Sequence, residues 1–215
     1  MKYLDGTKRG KFIVIYGSNN IGKSTQVGLL ASEIVNNYHE QLLVVKYPVY
    51  GLHPTGPIIR SALKDKVATR PKFNPLEFQA IYAQNRRDFQ DIIVANLNAG
   101  INVIAEDYLG TGIAWGMTSD VPLSALLKVN SGLLIPDISI LMDGERFKSG
   151  HESHHLYESA GDVVWNKNRA IHLKLAKKFG WKIVKSDNSV EQTHDDIWKL
   201  VKRKFSIPDR TNPKA

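Results

Sequence analysis

The segment Gly17-Ser18-Asn19-Asn20-Ile21-Gly22-Lys23-Ser24 fits G-x-x-x-x-G-K-[ST], and no other feature constrains the chain as strongly. Such a loop works only between a strand and a helix. "KFIVIYG" before it is a short β-branched apolar run ending in glycine, the signature of a buried strand. "KSTQVGLLASEIVNNY" after it carries Val27, Leu30, Ile34 and Val35 near helical spacing, so a helix is expected over 23–38. The glycines let backbone N–H groups face a polyphosphate, and the helix adds its positive N-terminal end. Lys23 is placed to reach β- and γ-phosphates, and the Ser24 hydroxyl to ligate Mg²⁺. Gly17, Ser18, Asn19, Asn20, Ile21, Gly22, Lys23, Ser24 and Thr25 are therefore the candidate phosphate-binding residues for an ATP donor. The loop names a donor and leaves the acceptor open.

Strand and helix signals alternate along the rest of the chain. "QLLVVKYP" reads as a second strand stopped by Pro48, and "IIRSALKD" as a short helix. "NPLEFQAIYAQNRRDFQDIIVANLNAG" has Pro75 early, a helical pattern and Gly100 as its stop. "INVIAED" and "PDISILMD" are the third and fourth strands, with an at least partly helical stretch over 111–134 between them. A polar, histidine-rich segment, 144–161, has no apolar period. A helix over 163–180, the strand "WKIVKS" and a last helix over 195–205 complete the order. This alternation predicts an α/β fold with three α/β/α layers, a five-stranded parallel sheet and a mobile lid. The expected organisation is a single domain over 1–215, with the lid at about 144–161 and a tail at about 206–215.

At 215 residues the chain is long enough for a substantial core. It has no cysteine, which excludes disulfides, thiol nucleophiles and thiolate metal sites. There is no long apolar run and no apolar leader at the start, so no membrane span is expected and a cytoplasmic location is the simple reading. The net charge of +8 points to anionic partners. A nucleotide pocket accounts for that charge, and no groove-reading motif supports nucleic acid. His151, His154 and His155 lie close together, but no helix-spaced ligand set closes with a carboxylate, and contact with nucleotide phosphate or plain solvation is the favoured reading over a metal site.

The order of motifs resembles the thymidylate kinase family. "FIVIYGSNNIGKSTQ" resembles its first strand and phosphate loop, and "KYPVYG" with the later Arg60 its loop and helix after the second strand. "AIYAQNRRDFQDIIVANLNAGINVIAEDY" is similar to the family stretch from an aromatic-x-x-(Asp/Asn)-Arg cluster to an Asp-Arg-Tyr motif. "TGIAWG" and "PDISILMD" take the places of the next two family segments, so the resemblance spans about 11–202. It implies that Arg86 hydrogen-bonds the acceptor base, that Tyr82 stacks on it, and that Arg60 holds the 5′-phosphate. Arg87 stands next to Arg86 and leaves that assignment open by one position. The resemblance also places Pro48, Asp107 and Tyr108 at the acceptor, Asp187 and Asn188 beside adenine, and Tyr157 near the acceptor. It further implies a homodimer.

Three positions depart from the family pattern. Asn19 replaces an acidic residue associated with the acceptor sugar, and asparagine brings no charge. Glu106-Asp107-Tyr108 replaces Asp-Arg-Tyr. Glu106 keeps a carboxylate suited to Mg²⁺, making Ser24 and Glu106 the candidate metal residues. Asp107 stands where the family has a phosphate-binding arginine, so a substitute cation is needed. Arg146 in the lid is the candidate, which gives Lys23, Glu106 and Arg146 as the catalytic set. The expected reaction is transfer of the ATP γ-phosphoryl group to dTMP. A related deoxynucleoside or nucleoside monophosphate kinase, or a nucleotide-binding regulatory module weakened by Asp107, are the rival readings.

Overall fold

A computed structural model describes residues 9–66, 68–69, 71–147, 156–157 and 161–205. The strands are β1 (Phe12–Tyr16), β2 (Leu42–Lys46), β3 (Asn102–Glu106), β4 (Ile138–Asp143) and β5 (Lys182–Lys185). The helices are α1 (Lys23–Ser32), α2 (Thr55–Lys64), α3 (Pro75–Asn98), α4 (Leu109–Thr118), α5 (Leu123–Val129), α6 (Gly161–Phe179) and α7 (Val190–Phe205). The sheet runs β2-β3-β1-β4-β5, and every neighbouring pair is parallel. This is the expected five-stranded α/β arrangement.

All of β1 is buried, as a central parallel strand covered on both faces should be. Its period-2 alternation divides it between two cores. Ile13 and Ile15 pack with Ile104, Ile140, Val27, Leu30 and Ile197 on the α1/α7 side. Phe12, Val14 and Tyr16 pack with Val103, Leu141, Ile93 and Leu97 on the α3 side.

The long helix α3 begins where its sequence dictates. The Asn74 side chain accepts from Glu77 N at 2.9 Å, and Glu77 Oε2 accepts from Asn74 N at 3.1 Å. This reciprocal cap, with Pro75 in the first turn, fixes the start. Two other boundaries differ from expectation. The helix after the phosphate loop is α-helical only to Ser32 and continues as a π-helical turn, Glu33–Asn37. α7 starts at Val190 rather than 195, because Ser189 Oγ accepts from Gln192 N at 3.1 Å and caps the end. The apolar period begins only later in that helix, so periodicity alone placed its start too late.

The segment 111–134 resolves into α4, a turn and α5. Most of the expected lid, residues 148–155 and 158–160, lies outside the described residues, as do its three histidines and the tail from 206. Among the described residues no helix is long and apolar enough to cross a membrane.

Candidate active site

The C-terminal ends of β1, β2 and β3 open onto a cavity of about 380 Å³, the edge at which open α/β sheets bind ligands. The phosphate loop forms one wall. Gly22 has φ +87°, a left-handed conformation that opens the α1 N-terminus toward the cavity. Lys23 is buried, with Nζ donating to Gly17 O at 3.0 Å and Ser18 O at 2.9 Å. Ser24 Oγ donates to Glu106 Oε1 at 2.8 Å. That hydroxyl–carboxylate pair suits a hard divalent cation that keeps phosphate oxygens and waters as its other ligands. Among the described residues no cluster of three His, Cys, Asp or Glu groups could hold a metal unaided.

A cation missed in the sequence completes this corner. Lys46 Nζ lies 2.8 Å from Glu106 Oε1 and donates to Ser24 Oγ at 2.9 Å. The signal was present in the strand ends, because Lys46 and Glu106 are the last residues of adjacent parallel strands and pair in register. Without the strand order that pairing was invisible.

Asp107 sits at φ +61°, a region Asp tolerates better than most residues. Its Oδ1 accepts from Thr111 Oγ1 at 2.7 Å and stands 3.8 Å from Lys23 Nζ. Burial pushes its pKa up, Lys23 draws it back down, and neighbouring Glu106 raises it again. The carboxylate therefore faces the loop lysine, a cation that offsets its repulsion of phosphate.

Helix α3 supplies the far end of the cavity. Tyr82 and Arg86 are both buried and both line it, with the guanidinium 5.8 Å from the Tyr82 ring centroid. Arg86 Nη1 donates to Asn130 Oδ1 at 3.0 Å, and burial lowers its pKa from the usual arginine value. Arg87 turns away from the cavity and donates to the carbonyls of Val129 and Ser131. The Arg86 head fits because residue 112 is glycine: a Cβ there would lie 2.4 Å from Nη2. Asn85 faces the other way, accepting from Val49 N at 2.9 Å and donating to Val49 O at 3.1 Å. It thereby holds the loop carrying Pro48, another lining residue. Tyr108 also lines the cavity and is fully buried against Phe12, its hydroxyl pKa pushed up to about 12 by burial. Tyr157 lines it too, stacked on Trp115 with ring centroids 4.0 Å apart.

Other anticipated residues stand elsewhere. Arg60 is exposed on α2 and is not part of the cavity wall. Arg146 also lies outside the wall, with Nη1 3.4 Å from Asp162 Oδ1 at the start of α6. Asp187 and Asn188 are exposed, and Asp187 Oδ1 accepts from Glu145 N at 2.6 Å. Asp187 thus ties the loop after β5 to the chain just after β4.

Two backbone carbonyls of the phosphate loop are anchored from outside. Asn20 O accepts from Phe147 N at 2.8 Å, and Asn19 O accepts from the Trp165 indole N–H at 2.8 Å. Asn168 Oδ1 accepts from Ser18 Oγ at 3.1 Å behind the loop. None of these contacts had a local signal, since each joins residues more than 100 positions apart.

Comparison with known proteins places this geometry. The family model described as thymidylate kinase matches residues 15–197. A probable thymidylate kinase of Pyrococcus horikoshii is 32% identical over 204 residues, covering 92% of this chain and 98% of its own length. The thymidylate kinase of Dictyostelium discoideum is 26% identical over 207 residues, with 92% and 87% covered. A solved thymidylate kinase structure from Candida albicans superposes with a TM-score of 0.81 at 20% identity, covering 93% of this chain and 94% of that one. The family model reaches from the end of β1 into α7 and so includes every wall of the cavity; this chain belongs to the thymidylate kinase family.

Proposed function

We propose that this chain transfers the γ-phosphoryl group of ATP to the 5′-phosphate of dTMP, giving dTDP. The observation that carries the reading is the continuity of one cavity from the phosphate loop to Tyr82 and Arg86. A donor polyphosphate on the loop and a base against α3 then share one space. We read 1–215 as one kinase unit with a lid at 144–161, acting as a homodimer; the family resemblance supports both, and light scattering checks the second.

In this reading the loop amides and Lys23 hold the donor phosphates, while Ser24 and Glu106 orient a nucleotide-borne Mg²⁺. The ion would neutralise charge on the β- and γ-oxygens. Arg86 and Tyr82 grip the acceptor base by a planar fork and a ring face. Phosphoryl transfer depends mainly on position and charge, so Asn19 costs no obligatory base. Lys46, already beside Ser24 and Glu106, supplies the cation that Asp107 does not. Arg146 is a second cation for the transferring group, brought in from the lid root.

The test is an ATP-coupled assay over nucleosides and monophosphates, with Lys23→Ala as control. Turnover with dTMP that collapses in the control is the expected result. ATP binding without turnover on any acceptor would refute it in favour of a regulatory module, and turnover on a nucleoside alone would favour a nucleoside kinase.

A further inference from the structure

The phosphate loop is held from behind by a chain of buried side chains that stand outside the cavity wall. Ser18 is 3% exposed and does not line the cavity, although its neighbours Asn19 and Asn20 do. Its hydroxyl points into the protein and donates to Asn168 Oδ1 at 3.1 Å. Asn168 lies on α6, is fully buried, and donates from Nδ2 to Thr118 Oγ1 at 3.1 Å. Thr118, the last residue of α4, donates its own proton to Ala114 O at 2.8 Å.

That last bond fixes the polarity of the whole chain. The Thr118 hydroxyl has one proton and gives it to a carbonyl one turn earlier, so toward Asn168 it can only accept. The amide must then turn Nδ2 to Thr118 and Oδ1 to Ser18, and Ser18 must donate. Each of the three side chains has a partner in that arrangement. A buried polar chain paired throughout is rigid and specifies one geometry.

Its two ends meet the two halves of the site. Ser18 O, together with Gly17 O, receives Lys23 Nζ, at 2.9 and 3.0 Å. The residue that places Lys23 is therefore itself placed by Asn168. At the other end, Thr111, Gly112 and Trp115 of α4 line the cavity, with Gly112 against Arg86. Residues 111, 115 and 118 follow one face of that helix. Asn168 is the joint between the two, 150 positions from Ser18 and 50 from Thr118.

We propose that Asn168 is a positioning residue for phosphoryl transfer: it sets the phosphate loop against α4 and acts on Lys23 through Ser18. The inference rests on the kinase reading above. Donor loop and acceptor wall belong to different elements, and in-line transfer needs them at one separation. A misplacement of about 1 Å can cost about 100-fold in rate.

The experiment combines steady-state kinetics on ATP and dTMP with thermal melts. It compares the full chain with Asn168→Leu, Ser18→Ala, the double variant Ser18→Ala/Asn168→Leu, and Thr118→Val. Asn168→Leu keeps the branched shape of asparagine and should lower kcat about tenfold, with the KM for dTMP within about twofold. Ser18→Ala should show a similar loss. Asn168→Leu also orphans the buried Ser18 hydroxyl and should lower Tm, whereas the double variant removes that donor and should recover Tm. In the double variant kcat should stay about tenfold low, because the two residues act as one unit. A kcat that recovers together with Tm would mark a merely structural role and overturn the proposal. Losses that multiply in the double variant would overturn it too. If Asn168→Leu does not fold, Thr118→Val decides: it keeps the shape of threonine, cuts the tie to α4, and should lower kcat about fivefold. A Thr118→Val kcat within about twofold of wild type then overturns the proposal. A wild-type chain that does not turn over dTMP refutes the kinase reading and this one with it. Wild-type turnover on dTMP with an unchanged kcat in Asn168→Leu sinks only this one.

Discussion

Replacing Lys46 by Met separates a stabilising role from a chemical one. Its side chain is 64% exposed, and Nζ sits 2.8 Å from Glu106 Oε1. Coulomb's law gives about 1.5 kcal/mol for that pair at the dielectric constant of water. Salt and side-chain entropy reduce exposed pairs to roughly 0.2–1 kcal/mol. The substitution should therefore lower Tm by no more than about 4 °C in a chain of this size. Turnover is a different matter, because the same charge stands beside the phosphate-loop serine and would face developing charge in the transition state. Loss of one such preorganised group costs about 100-fold or more in kcat, about 2.7 kcal/mol. The assay is steady-state turnover with ATP and dTMP beside a thermal melt, with Lys46→Arg as the charge-retaining comparison. We expect kcat to fall about 100-fold in Lys46→Met, with Tm nearly unchanged and part of the rate kept in Lys46→Arg. Turnover within twofold of wild type, or a loss matched by a large drop in Tm, would refute the assignment of Lys46 as the replacement cation.

Arg146→Ala should reduce kcat at least about tenfold while changing the dissociation constant of ATP less than about threefold, read by single-turnover kinetics and nucleotide titration. Asp143 is buried; burial opposes its ionisation, but Arg169 Nε at 2.6 Å and Lys185 Nζ at 2.7 Å outweigh that and hold its pKa below the usual carboxylate range. Its stabilising contribution is therefore full above the unfolded pKa of about 3.9 and is lost as pH falls through the lower folded value. Asp143→Asn should cost about 2 kcal/mol at pH 7 and a shrinking amount below about pH 4, measured by urea denaturation across pH. Trp165→Phe keeps an aromatic ring but removes the N–H that meets Asn19 O, and should raise the KM for ATP about fivefold with the dTMP dissociation constant unchanged.

What the sequence revealed and what it hid follow from the range of the interactions. The phosphate loop, the capped start of α3 and the Gly100 stop are written within a few neighbouring residues, so they were legible. The placement of Arg86 on the cavity wall was half legible: helix spacing from Tyr82 indicated a shared face, but only the carbonyls of Val129 and Ser131 explain where Arg87 goes. Lys46 was hidden because its partner Glu106 lies 60 positions away and meets it only through the β2–β3 register. Asn168 was hidden in the same way. Its partners Ser18 and Thr118 lie 150 and 50 positions away, and nothing local says that its amide is buried between them. Arg60 shows the limit of motif position, since an arginine in the expected helix can stand exposed outside the cavity wall.

The contacts of Asn19 and Asn20 make the phosphate loop something more than a cradle. These two carbonyls tie the loop to Phe147, after β4, and to Trp165, in the first two turns of α6. If 144–161 acts as the proposed lid, the chain near both its ends is clipped to the loop that would receive the donor. Thermodynamic linkage then runs in both directions. If ATP shifts the loop in favour of one lid position, a change that favours that position must tighten ATP by the same factor. A substitution at either clip would act as an allosteric mutation, altering how strongly donor occupancy is transmitted to the lid without touching a nucleotide atom.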